Sequence, residues 1–246
     1  MEQFLTIIGW IFLGIVSALA LFGVALHISL NEFAKAKYTD IDRWNFISWL
    51  TSWGIPLMTF SRTDVEGLEK LSEEQVKTGV IYANHHSIFD VFALLTALKR
   101  RHSYISKIEI SKVFFLNRGM QLIRCGFLDR SNPRAAVATV NNAVEIVKEG
   151  VLMVVFPEGT REVNAPLGKF KAGSFKIATK AKADIIPMTI YNSQLVGKRW
   201  PRPTTVKIKI HDPIAYEVYK NLDTPQIADM VERIVKQDLV MKQTSS

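Results

Sequence analysis

Residues 3–31 contain no Lys, Arg, Asp or Glu, and this one run limits what the chain can become. Its central part, FLTIIGWIFLGIVSALALFGVAL, is apolar on every side, so it is not an amphipathic surface helix with one buried face. About 20 such residues suffice to cross the hydrocarbon layer of a bilayer. A cleaved secretory signal fits poorly, because only Glu2 carries charge ahead of the run and no small-x-small cleavage site follows. A second segment, RWNFISWLTSWGIPLMTF, carries Trp44, Trp49 and Trp53, with Gly54 and Pro56 near its end. Tryptophans at that density suit the membrane–water interface. Between the two segments, Glu32, Lys35, Lys37, Asp40, Asp42 and Arg43 form a polar linker. The pattern predicts a membrane anchor over residues 1–61 in preference to two buried core helices. A spanning helix followed by an interfacial one, and a hairpin within one leaflet, both satisfy it.

Residues 62–246 read as a single α/β domain. Of the whole chain, 48% of residues are hydrophobic and 22% charged, enough for a substantial core, and one cysteine, Cys125, excludes an intramolecular disulfide framework. Short apolar runs at 79–83, 103–106, 126–129, 151–156, 185–191 and 205–210 alternate with helical periods, which argues for strands interleaved with helices. Ser87 opens one helix, to about Lys99. Asn132 caps a second with Pro133 in its first position, and Val137, Val140, Val144 and Val147 recur along it until Gly150. Residues 174–182 and 225–242 are further helices.

Polar clusters sit at or after the apolar runs: NHHSIFD after 79–83, Asp129-Arg130 after 126–128, PEGTR after 151–156, and Pro187 within the run from Ile185. In open α/β sheets ligands bind beyond the carboxyl ends of the strands, so a parallel arrangement brings such clusters to one rim. A His–Asp pair is a base whose carboxylate fixes the tautomer and stabilises the imidazolium. His86 and Asp90, four apart, face each other on a continuous helix. His85 and Asp90, five apart, meet only if the helix starts between them, and Ser87-x-x-Asp90 is a capping-box-like start. Spacing alone leaves the two histidines nearly level. Arg161 and Arg130 can each fork onto a phosphate, and Gly159 lets backbone approach a ligand; a salt bridge with Glu158 or Asp129 is the alternative use of each arginine. Nothing beside Cys125 in sequence activates it as a nucleophile.

The net charge is +8, and residues 161–210 hold eleven Lys/Arg against Glu162 and Asp184. That favours phosphates, anionic lipid or an acidic protein. No recognition motif for nucleic acid accompanies it.

Taken in order, the clusters resemble the blocks of the glycerolipid acyltransferase family, most closely its bacterial lysophosphatidic acid acyltransferases. Asn84, His85 and Asp90 match the first block, Gly126, Asp129 and Arg130 the second, Phe156 through Arg161 the third, and Ile185, Ile186 and Pro187 the fourth. The stretch KFKAGSFKIA, residues 169–178, is similar to the segment between the third and fourth. The resemblance implies a mixed sheet flanked by helices, with His85 as the base, Asp90 orienting it and His86 a variable position. It implies that Lys107, Arg130 and Arg161 contact the acceptor phosphate, that Glu158, Gly159 and Thr160 shape the acceptor loop, and that Asn84 and Pro187 are structural. The implied reaction moves an acyl chain from acyl carrier protein or coenzyme A to the sn-2 hydroxyl of lysophosphatidic acid. It needs no metal, no cofactor and no covalent enzyme intermediate, and places the protein in the cell membrane with its catalytic domain on the cytoplasmic side. Other acceptors, or a phospholipid-binding protein without turnover, are the rival expectations.

Overall fold

The computed structural model describes residues 2–160, 167–198 and 201–243. It opens with two helices, α1 (Glu2–Phe33) and α2 (Asp40–Thr59). The polar linker residues close their ends. The Thr39 hydroxyl accepts the Asp42 amide, and the Asp42 carboxylate accepts the Thr39 amide at 2.9 Å, a reciprocal cap on α2. Arg43 turns back to donate to the Phe33 carbonyl at 3.1 Å, an acceptor that the end of α1 leaves open, and to the Lys35 carbonyl in the linker at 3.2 Å.

There follow β1 (Ser61–Glu66), β2 (Gly79–Ala83), α3 (Phe89–Ala97), β3 (His102–Lys107), α4 (Phe114–Leu122), β4 (Gly126–Leu128), α5 (Pro133–Lys148), β5 (Leu152–Val155), α6 (Lys176–Ala181), β6 (Asp184–Tyr191), β7 (Thr204–Ile210), α7 (Tyr216–Tyr219) and α8 (Thr224–Gln243). The strands form one sheet in the order β1-β7-β6-β2-β5-β3-β4. Strands β6, β2, β5, β3 and β4 are parallel, whereas β7 runs antiparallel to β6 and pairs in parallel with β1. This is the mixed sheet that the family resemblance implied. Strand β1 and helices α4 and α7 are additions. The run SRTDVE has one large apolar residue and survives as a strand because it lies at the sheet edge. The predicted cap of α5 is present: Asn132 Oδ1 accepts the Ala135 amide at 3.1 Å, and Gly150 follows the helix at φ +86°.

Period-two alternation splits the core between the two faces of the sheet. Ile81, Ala83, Leu152, Val154, Ile186 and Met188 pack on one face with Trp44 and Ile47 from α2, Leu94 from α3 and Leu98 just after it. Val80, Tyr82, Met153, Val155 and Ile185 pack on the other with α5, α6 and α8. Proline within a central strand is unusual because it removes a ladder donor. Pro187 is tolerated where β7 gives out: the β6–β7 ladder ends at Met188↔Ile210, the His211 amide reaches the Pro187 carbonyl at 3.0 Å, and Ile185 pairs further on with Ile214.

Helix α1 contains a stretch, Thr6–Phe33, long and apolar enough to cross a membrane, with Glu32 near its end as the one charge. Its outward residues from Phe4 to Val24 are exposed, and only its last turns, with Leu26, Leu30 and Phe33, join the core. Helix α2 combines both expected characters. Trp44, Ile47 and Thr51 form a buried face, while Trp49 and Trp53 are 61% and 71% exposed. The grouping of Trp44 with the interfacial tryptophans is therefore corrected. Its indole meets the His102 ring edge-on, with centroids 5.7 Å apart, and burying such a ring contributes about 2–3 kcal/mol.

Burial pulls the His102 imidazole down from 6.5 to about 4. The unfolded chain takes up a proton at this residue first, so stability is full above pH 6.5 and falls as pH drops toward 4, by at most roughly 3 kcal/mol. His102→Asn should flatten that part of the Tm-against-pH curve of the detergent-solubilised protein. Burial also lowers His211, which contributes alike to both proteins. Identical slopes would place the titration elsewhere.

Candidate active site

Strand β2 ends at Ala83, and Asn84 shapes the exit from the sheet. It is fully buried. Its Nδ2 donates to the Ile190 carbonyl and its Oδ1 accepts the Ile190 amide, both at 2.8 Å, so the side chain replaces a ladder pair that the departing backbone no longer supplies. Nδ2 also faces His86 Nδ1 at 3.0 Å.

Asp90 lies in the first turn of α3 with no exposed surface. One oxygen, Oδ2, accepts three hydrogen bonds: from His85 Nδ1 at 2.8 Å, from the His86 amide at 2.8 Å and from the Ser87 amide at 2.9 Å. The helix begins after Ser87, whose Oγ accepts the Phe89 amide at 3.3 Å. His85 therefore occupies the turn before the helix, the geometry that the five-residue spacing requires. Asp90 orients the ring and, with the same atom, gathers the amides of the turn ahead of the helix. The Phe156 ring stacks on the His85 imidazole, centroids 4.1 Å apart and 19° between planes. With Nδ1 held by a carboxylate, Nε2 is the nitrogen left for proton exchange.

The third block enters after β5. Glu158, expected to contact the acceptor, is 3% exposed and turned inward. Its Oε1 accepts the His85 amide and its Oε2 the Gly168 amide, each at 2.7 Å. It thus joins the loop after β5 to the turn after β2. The Gly159 amide donates to the Phe156 carbonyl at 3.0 Å, so it closes a turn and is not a free oxyanion donor. Gly159 sits at φ +73°, where a Cβ would collide with the Arg130 guanidinium and come within 3.0 Å of Lys171 Nζ.

Parallel pairing puts the second block on the same rim. Lys107 ends β3 in register with Leu128 of β4, and is exposed. Asp129 Oδ1 accepts the Ser131 amide and hydroxyl at 2.9 and 2.6 Å, bonds that hold its carboxyl below the usual range. Arg130 makes no ion pair with Asp129 among the described residues; its Nη2 reaches across to the Gly159 carbonyl at 2.9 Å. Thr160 ends the described part of this loop, and Arg161 lies outside the described residues. Pro187 is level with Tyr82 inside the sheet, below the rim. Burial pushes the Cys125 thiol up to about 12, so it is protonated at neutral pH.

The structure divides the basic stretch. Lys176 and Lys180 stand on α6 with Lys182 just after it, while Lys207 and Lys209 stand on β7, and Lys209 pairs with Asp238 at 2.7 Å. Two residues near the site went unassigned in the sequence. Phe156 fixes the His85 ring, and Lys171 shares the surroundings of Gly159. The latter's signal was the KFKAGSFKIA similarity.

The fold and this rim define a class. The chain belongs to the acyltransferase family, whose model matches residues 62–191. A chloroplast 1-acyl-sn-glycerol-3-phosphate acyltransferase of Brassica napus is 33% identical over 167 residues, covering 65% of this chain and 47% of that relative. The 1-acyl-sn-glycerol-3-phosphate acyltransferase of Saccharomyces cerevisiae is 30% identical over 226 residues, covering 88% and 72%. The chain spans about half the length of the plant relative. The crystal structure of the 1-acyl-sn-glycerophosphate acyltransferase of Thermotoga maritima shares the fold, with a TM-score of 0.71 at 24% identity over 91% of this chain and 89% of that one.

Asn84→Asp tests the exit from the sheet. The substitution sets a buried carboxylate oxygen against the Ile190 carbonyl, where a donor stood, and should cost about 2–4 kcal/mol. A clear fall in Tm is expected; an unchanged Tm would mean that the Ile190 pairing does not hold the turn.

Proposed function

We propose that this chain transfers a fatty acyl group from an acyl thioester to the sn-2 hydroxyl of lysophosphatidic acid, giving phosphatidic acid. One observation carries the reading: His85 is bound through Nδ1 to the buried Asp90, on the rim that also bears Arg130 and Lys107. The names of the plant and yeast relatives support the choice of acceptor.

His85 Nε2 takes the proton of the sn-2 hydroxyl as that oxygen attacks the thioester carbonyl. Asp90 keeps the ring in the required tautomer and stabilises the imidazolium. Collapse of the adduct breaks the carbon–sulfur bond, and the departing thiolate receives the proton from His85. Arg130, Lys107 and Arg161 bind the acceptor phosphate, which orients the hydroxyl and lowers the entropic part of the barrier. Glu158 acts as a positioning residue, since it holds the backbone of His85. The donor is acyl carrier protein or coenzyme A thioester. Water-soluble donors of this kind place the catalytic residues on the cytoplasmic side of the cell membrane, with residues 1–61 as anchor.

His85→Ala should abolish acyl transfer from the thioester, measured as thiol release, while His86→Ala retains much of it. Equal loss from both would sink the division of roles. Arg130→Ala should raise the acceptor KM about ten- to a hundredfold, the loss of one charge-assisted contact. The donor KM should change little. An unmoved acceptor KM would remove Arg130 from the phosphate site.

A further inference from the structure

Val113, at the N-cap of helix α4, and Phe114 and Phe115, its first two residues, are 47%, 59% and 44% exposed. Three consecutive large apolar side chains open to water are not accounted for by the core or by the chemistry. They follow the short 3₁₀ turn after β3, and therefore lie beside the rim that carries Lys107.

Two contacts fix α4 against α1. The Phe114 ring stacks on the His27 imidazole with centroids 5.3 Å apart. Arg118, one turn further on, donates through Nε and Nη2 to Asn31 Oδ1 at 3.2 and 3.0 Å. Whatever surface α1 enters, the start of α4 meets at a set depth. About 20 residues of helix fill the hydrocarbon layer, so a span over the exposed part of α1 ends near Val24. His27 and Phe114 then fall about one turn outside the hydrocarbon, in the headgroup zone favoured by aromatic rings. Lys107, Lys112 and Arg118 flank the patch in sequence against Glu109, an excess of cations that complements anionic headgroups.

We propose that Val113, Phe114 and Phe115 form a second membrane-contact element, which enters the headgroup region of an anionic bilayer beside α1 and holds the rim of the sheet against the lipid surface. A bilayer suits this face better than a protein partner, because the apolar surface continues without charge along α1 for the length of a membrane span.

Depth-dependent quenching tests this on the full chain. Cys125 is only partly buried, so Cys125→Ala is made first and leaves the introduced cysteine as the single labelling site. Phe115→Cys carrying a nitrobenzoxadiazole group is reconstituted in phosphatidylcholine–phosphatidylglycerol vesicles containing lipid spin-labelled near the headgroup. Val24→Cys on α1 and Val218→Cys on α7, both exposed, serve as references. The label at 115 should be quenched several-fold more than at 218 and comparably to 24. Quenching no greater than at 218 overturns the proposal. So does shielding from aqueous iodide without quenching by lipid, the pattern of a second copy or a protein seated on the face. Val113→Cys supplies an independent reading should Phe115→Cys fail to fold. The readout is optical, so its failure leaves the acyl-transfer reading standing.

Discussion

The carboxyl rim of a parallel sheet leaves backbone amides pointing out of the ladder, and here two buried carboxylates collect them. Asp90 takes the amides of His86 and Ser87 together with the His85 ring, and Glu158 takes the amides of His85 and Gly168. Either carboxylate, if removed, would strand buried donors at about 1–3 kcal/mol each. The His85 backbone and ring are thus held by different acids from different elements, and Phe156 fixes the plane of the ring. Closure of the fold at this rim and preparation of the proposed base are one arrangement.

The membrane-facing side grows from the same rim. Strand β3 leads through a short turn into α4, and α4 is tied to α1 by Phe114 and Arg118. On the opposite face of its own helix from Trp49, Trp44 of α2 enters the core against His102. The amino-terminal helices are therefore continuous with the α/β core through α2 and the last turns of α1, while the outer surface of α1 remains free for lipid. Under the proposed function, this lets an acceptor lipid reach His85 without carrying its acyl chain into water.

Much of the fold was legible because burial imposes periodicity. Strands β2, β5 and β6 are buried on both faces and read as continuous apolar runs, and α5 announced itself by Asn132, Pro133, its valines and Gly150. Strand β1 and helix α4 did not. An edge strand needs few apolar residues, and α4 shows its aromatic residues to the outside. Trp44 misled because tryptophan serves cores and interfaces equally well, and only the packing of α2 on the domain separates it from Trp49 and Trp53. In the candidate site, residue types and their order pointed to the rim. The inward turn of Glu158 and the commitment of the Gly159 amide could not be read, because both depend on partners more distant in space than the motif is long in sequence.

The sequence by itself determined the uncharged amino-terminal run, the alternation of strands with helices, and the set of polar residues that follows the strands. These are local properties, set by the solvent each segment tolerates and by the period at which it repeats. Spacing left the two histidines nearly level and the family resemblance implied His85; only the tertiary structure supplies the physical reason that Asp90 holds that ring. On an uninterrupted helix His86 would face it; because the chain leaves β2 through an Asn84-anchored turn and starts α3 after Ser87, Asp90 meets the His85 ring and binds His86 only through its backbone. A one-residue shift in where a helix begins redirects every side chain before it, and that start is fixed by hydrogen bonds to Ile190 and Glu158, far along the chain.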